Sequence, residues 1–346
     1  MEDHEKFMRE CLKLAEKGAA FAAPNPMVGS VVVRNGIIIG SGYHEVYGGP
    51  HAEVNAVRSV VDKELLKSST LYVNLEPCSH FGKTPPCADL IIENSIPEVV
   101  IGSIDSNSLV AGQGIQKLEK AGIKVHVGVL ENECRELNRR FFTHHEKKRP
   151  YIILKWAQTK DGFIDHHRST PGQKALQVSS AEAKKIVHQW RSEEQAILVG
   201  TNTAMLDNPM LTVREVEGKN PLRVTIDKWL RIPRDYRLYD KSAPTLIFNS
   251  KIDEVDDNIT FKKIDFEKDV IAQILEELYK MNIRSVLVEG GEQVLNSFIS
   301  AGAWDEARVF ISEQEISHGV PAPKLLLEPS EQRAVGSDRL LVFRRK

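Results

Sequence analysis

His51-Ala52-Glu53 and the later run Glu76-Pro77-Cys78-Ser79-His80-Phe81-Gly82-Lys83-Thr84-Pro85-Pro86-Cys87 decide how the first half of the chain is read. Together they offer one imidazole, two thiols and a neighbouring carboxylate, the ligand set of a catalytic zinc with a water position left open. Each piece falls where one element hands over to the next. Pro50 heads a helix that runs through Val57, Thr70 to Leu75 is a strand rich in β-formers ended by Glu76-Pro77, and a further helix starts near Pro86-Cys87.

Helix starts suit this chemistry. Side chains of a first turn reach a metal lying off the helix end, so His51 can ligate while Glu53 leans toward the open position; in mid-helix the same spacing would aim them roughly 200° apart. A zinc held by three protein groups lowers the pKa of its water to about 7 and so supplies hydroxide at neutral pH. Glu53 would then take a proton from the water and deliver it to a departing amine. Zinc nucleobase deaminases as a class share this division of labour, with His-x-Glu and Pro-Cys-x-x-Cys signatures. Here eight residues, not two, separate the cysteines. Taken singly, His-Ala-Glu is an ordinary helical tripeptide and two such cysteines are ordinarily unrelated; their joint occurrence favours a site. A structural zinc is the second reading, but it needs a fourth ligand, with His44 and His80 as the candidates.

Outward from this stretch, helix-like apolar spacing runs from Glu5 to Lys17, and strands Val28 to Val33 and Ile37 to Ile39 flank an Asn35-Gly36 hairpin turn. Val99 to Ile101 and Val125 to Val129 are strand candidates around a helical Gly114 to Ala121. Strands alternating with helices of this length indicate a layered α/β domain. The charge run Arg139 to Arg149 reads as a helix end and solvated linker, placing a boundary near residue 148. Beyond it Tyr151 to Leu154, Ala196 to Val199, Leu222 to Ile226, Thr245 to Phe248, Ser285 to Val288 and Arg308 to Ile311 are strand candidates. Ala181 to Arg191, Val270 to Met281 and Gln293 to Ala301 are helical. This half is also α/β, without internal repetition of the first.

With 346 residues, two domains are expected, 1–148 and 149–346. Hydrophobic content of 41% and charged content of 27% are those of a soluble globular protein. A net charge of −2 argues against binding nucleic acid through counterion release. No run of 18 apolar residues occurs and the first residues are polar, so no membrane partner and a cytoplasmic location are expected. Of four cysteines, Cys11 and Cys134 lie in helix-like patterns and read as buried thiols.

The sequence resembles the bifunctional riboflavin-biosynthesis deaminase/reductase family, in which a cytidine-deaminase-like zinc domain is fused to a reductase of dihydrofolate-reductase-like fold. The long loop from Glu76 to Cys87 carries the resemblance in the first half. Leu154-Lys155-Trp156-Ala157, Asp161-Gly162, the run from Gly200-Thr201-Asn202-Thr203 through Leu211-Thr212-Val213-Arg214, and Val288-Glu289-Gly290-Gly291 carry it in the second.

The resemblance implies deamination of 2,5-diamino-6-(5-phosphoribosylamino)pyrimidin-4-one, then NADPH reduction of the ribosyl side chain to ribityl. It puts Zn2+ on His51, Cys78 and Cys87, the proton shuttle on Glu53, and deaminase substrate contacts on Asn25, His44, His80 and Lys83. NADPH contacts would come from Ala157, Gln177, Thr203, Asp207, Gly290, Gly291, Glu292 and Gln293. The reductase substrate, a phosphoribosyl-pyrimidine, would face Lys155, Arg191, Leu211, Arg214 and Glu289, with Lys155 and Glu289 doing the electrostatic work. It further implies a homodimer formed through the reductase half.

No Gly-x-Gly-x-x-Gly follows a strand, since Gly112-Gln113-Gly114 lacks the third glycine, so a Rossmann domain is disfavoured. Two departures stand out: Gln177 aligns where many members have Trp, and Lys228 where they have Ser. Alternatives are a deaminase with a degenerate, dimerising reductase-like domain and an RNA-editing deaminase. The latter needs a basic stripe or stacking aromatics, which the composition lacks.

Overall fold

The computed structural model describes all residues except Met1, Ala20, Gly82 to Thr84, Ser108 to Val110, Pro171 and Lys346. The chain divides into two compact units, Met1–Lys148 and Arg149–Lys346.

In the first unit the elements run α1 (Glu2–Glu16), β1 (Gly29–Arg34), β2 (Ile37–Tyr43), α2 (Ala52–Ser59), β3 (Thr70–Leu75), α3 (Cys87–Glu93), β4 (Glu98–Ser103), α4 (Gln113–Lys120), β5 (Lys124–Val127), α5 (Glu131–Leu137) and α6 (Arg139–Lys147). The sheet order is β2-β1-β3-β4-β5, antiparallel across the first three strands and parallel from β3 to β5. The period-two side-chain alternation feeds two cores. Leu71 and Val73 join Val32, Val99 and Ile101 under α2, α3 and α4, while Tyr72, Val31 and Val100 pack against Phe7, Met8 and Cys11 of α1 and Cys134 of α5. Cys11 and Cys134 are indeed buried thiols. Gly42 lets α2 lie directly on β2, since a Cβ there would stand 2.5 Å from the Ala56 nitrogen. The start of α2, which bears His51 and Glu53, is thereby fixed over the sheet.

The Arg139 to Arg149 run is not a solvated linker. It forms α6, with Phe141, Phe142, Thr143 and His144 buried, and its charges occupy the other positions. Two apolar residues within a basic run were enough to anchor a helix, a pattern that charge counting hides.

The second unit runs β6 (Tyr151–Gln158), β7 (Phe163–Asp165), α7 (Ala181–Glu193), β8 (Ala196–Gly200), α8 (Thr201–Asp207), β9 (Leu222–Ile226), β10 (Thr245–Asn249), β11 (Glu254–Asp256), β12 (Ile259–Lys263), α9 (Val270–Lys280), β13 (Ser285–Val288), α10 (Glu292–Ser300), β14 (Glu306–Ile311), β15 (Val320–Pro321), β16 (Glu331–Val335) and β17 (Asp338–Arg344). Among the described residues its main sheet has the order β11-β12-β10-β9-β8-β13-β6-β14-β17-β16, parallel from β12 to β14, while β7 pairs with β15. One face packs on α9 and α10 through Leu154, Leu198, Val286 and Val288; the other carries Ile153 and Leu287 against Val187 and Trp190 of α7. Both units are mixed α/β. Among the described residues, no helix is long and apolar enough to cross a membrane.

Candidate functional sites

The parallel end of β3 faces the starts of two helices, and there the first site is built. His51 is the N-cap of α2 and Cys87 opens α3. His51 Nδ1 lies 3.3 Å from Cys87 Sγ and 3.6 Å from Cys78 Sγ, and the three ligand atoms all fall within 4.8 Å of one another. Zinc bonds of about 2.05 Å to nitrogen and 2.3 Å to sulfur at a tetrahedral angle put N and S about 3.6 Å apart. The cluster fits that spacing, and one imidazole with two thiols is a zinc donor set.

The three groups are electrostatically coupled to one another. The Cys78 thiol is pulled down to about 4, first because the Cys87 thiol donates to it, then through His51 and the Cys87 N–H at 3.3 Å. Cys87 is pushed up by holding that proton, and by burial. His51 is raised foremost by its bond to Cys78. Glu53 is only 3% exposed, and burial raises its carboxyl. Its side chain also lies within hydrogen-bonding reach of Cys87.

Asn25 and His44 come together at this end. The His44 ring stands edge-on to His51 with centroids 5.5 Å apart. Its Nδ1 lies 3.0 Å from the Pro50 carbonyl, which only accepts, so that nitrogen carries the proton; Nε2 then accepts from the Asn25 amide at 3.0 Å. Burial lowers the His44 pKa. His80 is exposed on the loop between the cysteines, and Lys83 lies outside the described residues.

Three supporting residues went unread in the sequence. Buried Asn74 and Asn138 both bind the Met27 backbone, Asn74 additionally receiving the Gly29 N–H, and so clamp the segment that presents Asn25. Glu76 is more than a strand end. Its buried carboxylate accepts the N–H groups of Asp105, Gly112, Gly114 and Ile115, tying the start of α4 to the residue two before Cys78. Gly112 has φ +77°, and a Cβ on Gly114 would lie 2.0 Å from the Pro77 carbonyl oxygen, so those glycines serve this junction and not a dinucleotide turn. The only local signal was a carboxylate placed between a strand and a proline.

The second site lies at the ends of parallel strands, where α/β sheets open a crevice. The helix starts of α8 and α10, with Gly200 and Gly291 as N-caps, border one cavity of about 720 Å³ together with Thr203, Glu292 and Gln293. Gly291 has φ +52°, and a Cβ there would stand 3.0 Å from Thr203 Oγ1. Uncapped helix N–H groups and a glycine-floored cradle fit the pyrophosphate of NADPH. A Cβ on Gly290 would meet the Val199 backbone at 2.8 Å, so this glycine permits the packing of neighbouring strands. Arg168 braces the cavity wall by bridging Asp165 and Asp207, which commits Asp207 to a partner. No sequence pattern marked Arg168.

Next to this cavity an ion cluster assembles. Arg191 grips Glu289 with both Nε and Nη2, at 2.7 and 2.8 Å, and Lys155 Nζ is 3.9 Å from the same carboxylate. The Lys155 and Glu289 side chains are 15% and 7% exposed. Although burial alone would raise it, Arg191 and Lys155 hold the Glu289 carboxyl down at about 2. Lys155 itself is lowered by burial, partly offset by Glu289. Thr212 joins the two arginines: its carbonyl accepts from Arg191 at 3.3 Å and its hydroxyl from Arg214 at 3.1 Å. Leu211 buries its side chain among Ile197, Val199 and Leu238 with φ +55°.

The structure does not bring every expected residue here. Asp161 closes a turn by accepting from Thr159 and from the Ile316 and Ser317 amides. Ala157 lies on β6 and packs against the α7-facing core. Gln177 lines a separate small cavity with Ser312, Gln314 and Asp338, its amide held by Lys184 and the Ser179 carbonyl. Lys228 stands over the Trp229 and Phe266 rings beside Glu267.

Comparison with known proteins covers both units. Residues 1–103 match the cytidine and deoxycytidylate deaminase zinc-binding region, and residues 150–313 match the RibD C-terminal domain. The chain is 40% identical to riboflavin biosynthesis protein RibD of Aquifex aeolicus, with 98% of each chain covered. It is also 40% identical to RibD of Bacillus amyloliquefaciens, covering 93% of this chain and 87% of that one. Among solved structures it resembles the diaminohydroxyphosphoribosylaminopyrimidine deaminase/5-amino-6-(5-phosphoribosylamino)uracil reductase of Thermotoga maritima, with a TM-score of 0.89, 37% identity and 99% of both chains covered. Acinetobacter baumannii RibD matches with a TM-score of 0.88 at 27% identity, again over 99% of both chains. A zinc donor set in a deaminase unit, a nucleotide cradle in a reductase unit and this agreement along nearly the whole length lead to one conclusion: the chain belongs to the RibD family of bifunctional riboflavin-biosynthesis deaminase/reductases.

Proposed function

We propose that the unit Met1–Lys148 deaminates 2,5-diamino-6-(5-phosphoribosylamino)pyrimidin-4-one and that the unit Arg149–Lys346 then reduces the ribosyl side chain of the product to ribityl with NADPH. The observation that carries the reading is the convergence of His51, Cys78 and Cys87 on one point, with buried Glu53 on the same helix start.

Zinc bound by His51, Cys78 and Cys87 would supply the Lewis acidity that makes water nucleophilic at neutral pH. Glu53 takes a proton from the attacking water and delivers it to the departing amine, so ammonia leaves neutral. His44, with its tautomer set by Pro50, and Asn25 orient the pyrimidine, while His80 and Lys83 on the loop reach its phosphoribosyl arm.

In the second unit NADPH supplies the hydride, and the chain positions it. Thr203, Asp207 and Gly290 to Gln293 hold the nucleotide, with Ala157 contributing from its own strand, whereas Gln177, turned toward Ser312, Gln314 and Asp338, stands off it. Lys155, Arg191, Leu211, Arg214 and Glu289 face the substrate. Of the two cations set against Glu289, Lys155 is the one not consumed in a two-pronged ion pair, and it neutralises charge where the sugar ring opens. The ion cluster is intact, so nothing favours a degenerate reductase-like domain.

Four free cysteines fit a cytoplasmic location. The family resemblance extends the proposal to a homodimer formed through Arg149–Lys346, which sedimentation velocity tests directly. The central experiment measures ammonia release and NADPH oxidation on the full chain. Both are expected with the diamino substrate, and only NADPH oxidation with its deaminated product. Ammonia release without subsequent NADPH consumption would overturn the second half of the proposal.

A further inference from the structure

His188 has no place in the assignments above, yet it sits one turn before Arg191 on α7 and is only 6% exposed. Its Nδ1 accepts the Arg214 backbone N–H at 3.1 Å. An imidazole nitrogen that accepts is unprotonated, so this ring is neutral in the folded arrangement. The contact closes a chain of bonds: His188 to the Arg214 backbone, the Arg214 guanidinium to the Thr212 hydroxyl, the Thr212 carbonyl to Arg191, and Arg191 to Glu289. Residues 211–220 are tied to themselves by the Val213 N–H on Asn220 Oδ1, and they lie close on α7 at one further point, where a Cβ on Gly218 would stand 2.4 Å from Ser192.

We infer that His188 is a positioning residue for the reductase substrate: its neutral imidazole fixes the backbone of Arg214, so that this guanidinium stands beside Arg191 as a two-arginine receptor for the substrate's phosphate. The inference rests on the substrate reading proposed above. Among the described residues Arg191 spends three of its five N–H donors on Glu289 and Thr212, whereas the Arg214 side chain has a bond to Thr212 Oγ1 alone. Arg214 is therefore the freer of the two, and its placement decides how well an anion is held.

The charged groups around His188 are Arg191 on its own helix, Arg214 and Glu215 on the facing segment, and Glu289 at the end of β13. Burial and then the two arginines lower the His188 pKa, while the acidic groups oppose them less. Protonation below pH 6.5 turns Nδ1 into a donor facing another donor. The directed contact at 3.1 Å is then lost, while the phosphate already has two guanidiniums, so loosening outweighs the added charge.

The test uses the full-length, zinc-loaded enzyme with 5-amino-6-(5-phosphoribosylamino)uracil. His188→Phe keeps a buried ring and removes the acceptor, whereas His188→Asn keeps an acceptor near the Nδ1 position and does not titrate. At pH 8 His188→Phe should raise KM about tenfold, the equivalent of about 1.4 kcal/mol. Its kcat should stay within about twofold, and its NADPH Kd, read by fluorescence, should not change. His188→Asn should restore KM to within about threefold. The substrate's own phosphate titrates near pH 6 in every variant, so only the difference between His and Asn is informative: wild type should lose affinity more steeply below pH 6.5. An unchanged KM in His188→Phe, an Asn variant as weak as Phe, or identical acid limbs in wild type and Asn would each overturn the inference. If wild type oxidised no NADPH, the reductase reading itself would fall, and calorimetric binding of the same phosphorylated compound to the three proteins would still decide the role of His188.

Discussion

The two sites reach comparable polar precision by opposite routes. The metal site draws its ligands from residues 51 to 87, with two of the three at helix starts, so sequence motif and geometry nearly coincide. The reductase cluster draws Lys155, Arg191, Thr212 and Glu289 from the middle of one strand, the end of another, a helix and a loop, and only the sheet order β8-β13-β6 brings them together. Short-range sites advertise their chemistry in spacing, whereas long-range sites advertise it in topology. The first kind should therefore fail by losing chemistry at one atom, and the second by losing the arrangement.

The sharpest test of that contrast is Glu53→Gln. Glu53 is buried at the start of α2 but is no ligand, so the amide should leave zinc content, melting temperature and NADPH oxidation with deaminated substrate unchanged. Ammonia release should fall about 10³-fold, the scale of a lost general acid–base. Retained deamination with metal in place would turn the zinc into a structural staple.

Glu289→Gln should behave in the other way. It leaves the Arg191 and Lys155 charges buried without their counterion, and losing one partner of a buried pair costs about 3–5 kcal/mol. Urea unfolding followed by a probe in the second unit should show that loss. The wild-type pH dependence carries the same information. Glu289 is held near 2 in the fold against an ordinary 4.5, so its contribution is fully present above pH 4.5 and drains away as pH falls toward 2. The variant should lack that drain between pH 4.5 and 3. A variant as stable as wild type would mean that the cluster is held by backbone packing alone.

What the sequence disclosed follows the same division. His51, Glu53, Cys78 and Cys87 were readable because three residue types at fixed spacing, beside prolines that start helices, have few other uses. The strand Thr70–Leu75 was readable to the residue because β-formers run up against Glu76-Pro77. Glu76, Asn74 and Asn138 were not readable as functional, because their partners are backbone amides up to 111 residues away. Helix α6 was hidden by its own charges. In the second unit His188 and Arg168 carry no motif at all. Their value comes from which loop the fold lays across them.

The glycine cradle lies between these extremes, since the motif was visible but its geometry was not. Gly291→Ala adds a methyl 3.0 Å from Thr203 Oγ1 at φ +52°, where an L residue is strained. NADPH Kd should rise about tenfold by fluorescence titration, with deamination and zinc content untouched. Unchanged NADPH affinity would place the pyrophosphate elsewhere than at the α10 start.

The smallest expected effect concerns Gln177, where many family members have Trp. A stacking indole facing a nucleotide contributes about 0.5–1.5 kcal/mol, so restoring it should tighten NADPH severalfold if position 177 met the cofactor. The structure instead turns Gln177 toward Ser312, Gln314 and Asp338, holds its amide on Lys184 and Ser179, and leaves it off the wall shared by Thr203 and Gly291. Gln177→Trp should therefore change NADPH Kd by less than about twofold. A severalfold gain would show that the cavity of about 370 Å³ around residue 177 also takes part in holding the dinucleotide, and that the long-range site is larger than the ion cluster and glycine cradle alone.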